Sequence, residues 1–192
     1  MQSGLRTGIG LILLSTDWNE FMKNIVLIGM PGTGKSTVGK TLAKELHYDF
    51  VDVDDLIVEA TGKTLPQILR TDGLEKFLKI EEEIGEQLNR DSTVIATGGS
   101  MVLYESAMAH LRKNGVVVWL ETPLSAISDR MPDDLTDRGI AAQPGMTIRQ
   151  IYEQREPLYA KHADLIEASG PNEQETALQV LQMIRTVGIS LI

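Results

Sequence analysis

The sequence predicts an α/β fold in which a parallel sheet lies between two layers of helices. Short apolar runs alternate along the chain with segments whose apolar residues recur at helical spacing, as Val38, Leu42 and Leu46 do. The runs are nearly continuous, which is typical of strands that are covered on both faces. A glycine-rich turn separates the first run, residues 25–28, from the first helical segment. These observations together indicate a three-layer α/β/α domain.

The remaining elements follow in a regular order. We expect strands at residues 25–28, 50–53, 93–96, 116–120 and 164–167. We expect helices at residues 38–46, 54–60, 66–71, from after 73 to about 89, 104–113, 123–131, 147–161 and 172–185. Thr64 and Pro66 mark one helix start, because they read as an N-cap followed by a first-turn proline. Ligands of such folds collect outside the carboxyl ends of the strands, so chemistry is expected there.

The glycine-rich turn has the sequence of a phosphate-binding loop. Residues 29–37 read G-M-P-G-T-G-K-S-T, which fits G-x-x-x-x-G-K-[ST] in the context of strand and helix that this pattern requires. The glycines let successive backbone N–H groups point at phosphate, and the helix start adds free N–H groups of its own. Lys35 would reach the outer phosphates, and the Ser36 hydroxyl would ligate Mg²⁺. We therefore expect a P-loop nucleoside-triphosphate hydrolase fold that holds its nucleotide through Gly32, Thr33, Gly34, Lys35, Ser36 and Thr37.

Length and composition limit the classes of protein. The 192 residues fit one domain of ordinary size with an adequate core. There is no cysteine, so disulfides and thiolate metal sites are excluded and a reducing, cytoplasmic setting is expected. The formal net charge of −9 argues against a general nucleic-acid binder, which needs a basic face. We expect a monomer that acts on a small molecule, without nucleic acid or membrane as a partner.

The N-terminal residues 1–21 do not look like part of the domain. Their apolar run at 8–14 is far too short to span a membrane. Met22 is followed almost directly by the first strand, as a start codon would be. We expect one domain at 22–192, preceded by an extension that is either an upstream start assigned in error or a real, loosely packed segment.

Two aspartates at the end of the second strand suit a small kinase. The GTPase patterns D-x-x-G and N-K-x-D occur nowhere in the chain, and a large ATPase motor would need more residues. Of the carboxylates of Asp52 and Asp54, one can hold the water shell of Mg²⁺ and the other can orient or deprotonate an acceptor hydroxyl. Capping of the following helix is the alternative role, and we favour it for Asp55.

A long loop at residues 132–146 is expected to act as a lid. It breaks the regular order of elements with several prolines, glycines and aspartates, and loops of this length are usually functional or disordered. Phosphoryl transfer needs positive charge on the transferring group, and Arg130 and Arg138 flank and enter this loop. The alternative for Arg138 is a solvated side chain paired with Asp134 or Asp137.

Further candidate residues follow the third strand and the lid. The backbone N–H groups of Gly98 and Gly99 can approach a ligand closely, although a plain turn is the alternative. Arg155, on the helix after the lid, is a candidate to bind an acidic group of the substrate. Its alternative is a surface ion pair with a neighbouring glutamate.

The chain resembles the shikimate kinase family over residues 23–185. The matching segments are the phosphate loop, F-V-D-V-D at 50–54, T-D-G at 71–73, Phe77 with I-E-E at 80–82, T-G-G at 97–99 and R-E-P-L-Y at 155–159. The resemblance implies a nucleoside-monophosphate-kinase-like fold with a lid loop. It also implies transfer of the γ-phosphoryl group of ATP to shikimate, which gives shikimate 3-phosphate in aromatic amino-acid biosynthesis.

The resemblance also implies roles for the candidate residues. On the nucleotide side, Asp52 would assist Mg²⁺, Arg138 would be the lid arginine on the ATP phosphates, and Arg130 would lie near the adenine. On the acceptor side, Asp54 would hold the acceptor hydroxyls, Gly99 would contact the substrate, and Arg155 would bind the carboxylate of shikimate.

Two positions depart from the family pattern. The family places a second carboxylate-binding arginine in F-R-x-I-E, whereas this chain has Leu78 there, and Lys79 points about 100° away around the helix. The third glycine after the third strand is Ser100. The lid is also less typical, with R-G-I at 138–140. Two alternatives therefore stay open: a kinase of another small hydroxylated metabolite, and a non-catalytic nucleotide sensor.

Overall fold

The described part of the chain forms an α/β domain on a sheet of five parallel strands. The computed structural model describes residues 24–187 except 133, 169 and 171, so the extension expected at 1–21 lies outside the described residues. The strands pair in the order β2-β3-β1-β4-β5, and every pairing is parallel. They span Asn24–Ile28 (β1), Asp49–Asp52 (β2), Thr93–Ala96 (β3), Gly115–Glu121 (β4) and Leu165–Ala168 (β5). The predicted parallel sheet is confirmed.

Eight α-helices are found among the described residues. They span Lys35–Leu46 (α1), Val53–Thr61 (α2), Leu65–Thr71 (α3), Leu74–Gln87 (α4), Glu105–Lys113 (α5), Leu124–Ser128 (α6), Ile148–His162 (α7) and Glu173–Thr186 (α8). Capping boxes begin two of them, at Thr64 with Gln67 and at Thr147 with Gln150. Within the described part of the chain, no helix is long and apolar enough to cross a membrane.

The sheet separates two apolar cores. Val26 and Ile28 of β1 pack in the core formed with α2 to α7, whereas Ile25 and Leu27 pack in the core formed with α1 and α8. All four side chains are fully buried. This alternation along β1 explains why the strand reads as a continuous apolar run, because helices cover both faces of the sheet.

Some boundaries differ from the expected ones. The second strand ends at Asp52 and α2 begins at Val53, because Oδ1 of Asp52 accepts the Asp54 N–H at 3.1 Å and so caps the helix. Asp55 is therefore not the cap, which corrects that expectation. The helix expected at 123–131 ends at Ser128. Two short 3₁₀-helices, Met101–Leu103 and Leu135–Arg138, were not expected.

The strand order places the chain's functional segments at one edge. Asp52 of β2 is in register with Ala96 of β3, and Ala96 is in register with Leu27 of β1. The residues that follow these three strands therefore meet at the carboxyl edge of the sheet. This edge is where the fold is expected to bind ligands.

Candidate active site

A cavity of about 500 Å³ opens at the carboxyl edge of β1, β2 and β3. The phosphate loop forms one side, and α2, α4, the turn after β3, the lid and α7 form the others. Most of the predicted site residues line it, namely Gly32, Gly34, Lys35, Ser36, Thr37, Asp52, Asp54, Gly98, Gly99, Arg130, Arg138 and Arg155. Thr33 is buried in the loop, and its hydroxyl has no hydrogen-bond partner among the described residues.

Lys35 lies at the start of α1 with its ammonium folded over the phosphate loop. The helix begins after Gly34, whose φ of 86° lies in the left-handed region that favours glycine. Nζ donates to the carbonyls of Gly29 at 2.8 Å and Met30 at 2.9 Å. Burial lowers the pKa of Lys35 to about 8, although nearby carboxylates oppose this shift. The loop thus holds a compact cation where the outer phosphates of a nucleotide would lie.

Ser36 and Asp52 offer adjacent oxygen ligands for a divalent cation. The Ser36 hydroxyl donates to Oδ2 of Asp52 at 2.5 Å, and both residues line the cavity. No cluster of three or more acidic or histidine side chains able to hold a metal lies within the described residues. Mg²⁺ needs no such cluster, because it keeps several waters and uses one or two protein oxygens together with substrate phosphates. The pair therefore fits Mg²⁺.

Asp54 lies in the first turn of α2 and faces the cavity. Burial, and next the negative charge of Asp52, raise its pKa to about 6, whereas Lys35 lowers it. Since the carboxyl group still titrates below neutral pH, it is largely ionised at pH 7 and above. A mostly buried carboxylate in this state can accept a hydrogen bond or a proton from a hydroxyl group.

Glu81 is a buried acid on α4 that faces the same cavity. Its side chain is 0 % exposed, and Oε2 accepts hydrogen bonds from Ser100 Oγ at 2.6 Å and Tyr104 OH at 3.3 Å. Oε1 has no hydrogen-bond partner among the described residues. Burial raises the pKa of Glu81 to about 7, and the Asp54 carboxylate adds to this shift. A Cβ on Gly98 would lie 2.0 Å from Oε1, so any other residue at position 98 would force this carboxyl group to shift.

Arg155 reaches the cavity from α7. Its side chain is 2 % exposed and donates through Nη2 to the Ala141 carbonyl, so the surface ion pair considered for it is excluded. Its Nε has no partner among the described residues. One turn further along α7, Tyr159 donates to the Gly99 carbonyl at 2.6 Å and stacks on Trp119. A buried guanidinium with an unpartnered N–H is suited to an anionic group of a ligand.

The expected lid borders the cavity, and the residues just before it contact the phosphate loop. Arg130 Nη1 donates to the Gly32 carbonyl at 2.9 Å, and Arg138 lines the cavity. Asp137 and Asp134 form ion pairs with Arg70 on α3, so these aspartates have a partner other than Arg138. The lid is thereby anchored to α3 next to the arginine that faces the cavity.

Comparison with known proteins identifies the family. The family model described as shikimate kinase matches residues 31–185, most of the chain. This chain belongs to the shikimate kinase family. Curated shikimate kinases from Thermodesulfovibrio yellowstonii and Sulfurihydrogenibium sp. are 39% and 37% identical to it, and the matches cover 84% and 86% of this chain and 94% and 97% of theirs. The predicted resemblance is confirmed.

A solved shikimate kinase shares the fold. The structure of the Acinetobacter baumannii enzyme in complex with shikimate has 29% sequence identity and a TM-score of 0.78, covering 88% of this chain and 96% of that one. The shikimate kinase of Aquifex aeolicus has 25% identity and a TM-score of 0.70. The expected fold class and the expected class of enzyme, a phosphotransferase acting on a hydroxyl group, are both confirmed.

Of the two departures from the shikimate kinase pattern, Ser100 contacts Glu81 and Leu78 packs away from the cavity lining. Leu78 is half-buried and packs against the larger apolar core, while α4 presents Phe77 and Glu81 to the cavity. Lys79 is exposed and pairs with Glu83, so it does not replace an arginine at position 78. Ser100, in place of the third glycine, supplies a hydroxyl to Glu81 instead.

Sequence reasoning missed several residues of the site. The sequence pattern marks Glu81 only as part of a segment that matches the family, and it gives no role in the cavity or its support to the Ala141 carbonyl, Tyr159 or Glu173. Phe77 and Glu81 are four residues apart and share one face of α4, so helical spacing could have indicated Glu81. Ala141 and Glu173 come into the site through the lid and the start of α8, and no local pattern marks them.

Proposed function

We propose that this chain transfers the γ-phosphoryl group of ATP to a hydroxyl of shikimate, giving shikimate 3-phosphate and ADP. This rests on one observation: in a member of the shikimate kinase family, one cavity joins Lys35 of the phosphate loop to the half-buried Asp54 and the buried Arg155. The similarity to the A. baumannii enzyme, whose structure contains shikimate, supports the choice of acceptor. Lys35, Asp54 and Arg138 are the proposed catalytic residues.

The phosphate loop would position the nucleotide. Backbone N–H groups at the start of α1 would bind its phosphates, and the Lys35 ammonium would place positive charge on the outer ones. Ser36 and Asp52 would hold Mg²⁺, as their contact and their oxygen ligands allow. When bound, Mg²⁺ neutralises charge on the phosphates and orients them. Arg130 would lie near the adenine.

The acceptor would lie between α2, α4 and α7. Asp54 would orient the reacting hydroxyl and accept its proton, since the group is ionised at neutral pH. Arg155 would bind the acceptor's carboxylate through its unpartnered Nε. Gly98 and Gly99 would let the backbone approach the ring. These contacts would place the hydroxyl beside the γ-phosphate, where proximity lowers the barrier.

The lid would complete the site. Residues 132–146 would close over both substrates, exclude water and place Arg138 on the transferring phosphoryl group. Positive charge at this point stabilises the charge that spreads over the phosphoryl oxygens in the transition state. Arg138 therefore acts chiefly on turnover rather than on nucleotide binding.

An ADP-release assay tests the proposal. The purified chain with ATP and Mg²⁺ is offered shikimate, quinate and a panel of hydroxy acids, with release of ADP followed by a coupling enzyme. We expect shikimate to give the highest kcat/KM. A higher value for another hydroxy acid would favour the second candidate, a related small-molecule kinase, for which Leu78 in place of arginine is the specific observation. ATP binding without turnover of any acceptor would favour a sensor.

The remaining proposals concern the cellular location of the protein, its oligomeric state and the bounds of its domain. We propose one kinase domain at 22–192 with residues 1–21 outside it, acting as a cytoplasmic monomer. The absence of cysteine and the net charge of −9 support a reducing setting without a nucleic-acid partner. Intact-mass measurement of the native protein tests the N-terminal part, because a mass that includes residues 1–21 would contradict a mis-assigned start.

A further inference from the structure

The cavity lining includes two buried polar atoms that no described residue satisfies. Oε1 of Glu81 and Nε of Arg155 both lack a hydrogen-bond partner among the described residues, and both side chains line the cavity. Buried polar atoms are rarely left in this state, because each costs free energy comparable to a lost hydrogen bond. Each atom therefore lacks a partner that a ligand group could supply, and the two side chains are close enough to interact electrostatically.

The free oxygen of Glu81 is directed to the acceptor side. Oε2 is occupied by Ser100 and Tyr104, so Oε1 is the oxygen available to a ligand. Oε1 lies over Gly98, and the Cβ position that Gly98 lacks is 2.0 Å from Oε1 and 3.3 Å from Oδ1 of Asp54. Glu81 thus borders the same small space as the carboxylate proposed to hold the acceptor hydroxyl.

The charges around Glu81 decide which form of its carboxyl group a ligand meets. Position 78 of α4 holds leucine and supplies no cation. Burial outweighs the attraction of Arg155, so the neutral form of Glu81 persists to a pH well above the range in which a glutamic acid side chain usually titrates. An anion brought to Arg155 would favour the neutral form further. The titratable groups that face Glu81 from the elements around it are Lys35, Asp54, Tyr104, Arg155 and Tyr159.

We propose that Glu81 takes up one proton from solvent when the acceptor binds, and that its Oε1 then donates a hydrogen bond to the acceptor's carboxylate beside Arg155. A neutral carboxyl group thereby takes the place of the second cation, which this chain lacks because position 78 is leucine. Ser100 and Tyr104 are positioning residues, because they hold Oε2 and leave Oε1 towards the ligand. The inference rests on the proposed function, since it takes the acceptor to be a hydroxylated carboxylic acid.

Proton uptake on binding is the measurement that tests it. Shikimate is titrated calorimetrically into the chain with ADP and Mg²⁺ present, in buffers of different ionisation enthalpy, at pH 7 and pH 8, where Asp54 is already largely ionised. With the pKa of Glu81 at about 7 in the free protein, we expect uptake of roughly 0.9 proton at pH 8 and roughly 0.5 at pH 7. Above pH 8 the dissociation constant should rise by roughly tenfold per pH unit, because only the protonated fraction binds.

Titrations of two protein variants, and of one shikimate derivative, test whether Glu81 is the group that takes up the proton. Glu81→Gln keeps a neutral donor, so it should bind shikimate with little dependence on pH and without uptake. Asp54→Asn should retain the uptake at pH 8, which excludes Asp54 as its source. Shikimate amide should bind the parent protein with almost no uptake, and this result is available even if the Glu81 variant does not fold.

The outcomes separate this inference from the proposed function. Absence of shikimate binding at any pH would contradict the proposed function itself. Binding without proton uptake, uptake that persists in Glu81→Gln, or affinity that strengthens as pH rises would overturn the role of Glu81 while leaving the kinase activity in place.

Discussion

Ser36 and Asp52 come from different elements, and their side chains meet at 2.5 Å at the carboxyl edge of the sheet. Ser36 follows the lysine of the phosphate loop, and Asp52 is the last residue of β2. The same aspartate caps α2 through its other oxygen. One side chain therefore fixes the start of a helix and presents an oxygen beside the hydroxyl proposed to hold Mg²⁺.

Substitution of Asp52 should separate these two roles. Asp52→Asn keeps an amide oxygen that can cap α2 but loses the charge beside Ser36, so we expect a roughly tenfold higher Mg²⁺ concentration for half-maximal activity with an almost unchanged melting temperature. Asp52→Ala should show the same metal effect and lose about 1 kcal/mol of unfolding free energy as well. Activity measured against Mg²⁺ concentration, with thermal unfolding of each variant, checks both expectations. An unchanged Mg²⁺ requirement in both variants would remove Asp52 from the metal site.

Asp54→Asn should abolish transfer and stabilise the fold. The pKa of Asp54 is raised to about 6 in the folded protein from its ordinary value of 3.8. The folded state therefore binds more protons than the unfolded state between these pH values, and stability falls as pH rises through that window. The amide removes this cost, and we expect a gain on the order of 3 kcal/mol at pH 8 that disappears near pH 4. Denaturant unfolding across this pH range measures the gain.

The binding of ATP provides the control for Asp54→Asn. Nucleotide affinity should stay within about threefold of the parent, because the substitution does not touch the phosphate loop. A parallel loss of ATP affinity would instead assign Asp54 to the metal site.

The sequence alone predicts those parts of the site whose residues are contiguous in the chain, and it does not predict those that depend on packing between distant segments. The phosphate loop with Lys35 and Ser36 is contiguous, so strand, turn and helix were all recognised from the pattern. The position of β2 outside β3 could not be derived, because strand order is decided by packing between distant segments. The contact of Ser100 with Glu81 spans 19 residues and depends on how α4 packs beside the turn after β3. In the sequence, Ser100 reads as a departure from the family pattern and Glu81 as part of a matching segment, and nothing indicates that the two residues form a pair.

Arg138→Ala should lower turnover far more than it weakens ATP binding. The lid arginine is expected to act on charge that develops in the transition state, so we expect kcat to fall at least about a hundredfold while the dissociation constant of ATP changes little. Arg70→Ala is the matched control, since it removes an exposed cation that anchors the same loop through Asp137. An exposed pair is worth at most about 1 kcal/mol, so this control should change kcat by less than about fivefold. Equal losses in the two variants would show that Arg138 only anchors the lid.

Leu78→Arg tests how the acceptor's acidic group is recognised. The new guanidinium would lie one turn before Glu81 and beside the proposed carboxylate site, so we expect a lower KM for shikimate and a weaker dependence of KM on pH above 7. Steady-state kinetics at pH 7 and pH 9 measure both effects, and Lys79→Arg, on the exposed side of α4, is the control. Impaired activity would indicate an acceptor without that carboxylate. Unchanged kinetics for every substrate would show that position 78 lies outside the acceptor site.

Direct observation of the phosphorylated product tests the central claim. The chain is incubated with ATP, Mg²⁺ and shikimate, and ³¹P and ¹H NMR spectra identify the new ester and the hydroxyl that bears it. Lys35→Met, which removes the cation from the phosphate loop, and Lys44→Met, which removes an exposed cation from the last turn of the same helix, are run in parallel. We expect a phosphate ester at the 3-hydroxyl from the parent and Lys44→Met, and none from a folded Lys35→Met. Hydrolysis of ATP without any ester of shikimate, or a Lys35→Met variant that forms the ester as fast as the parent, would contradict the account.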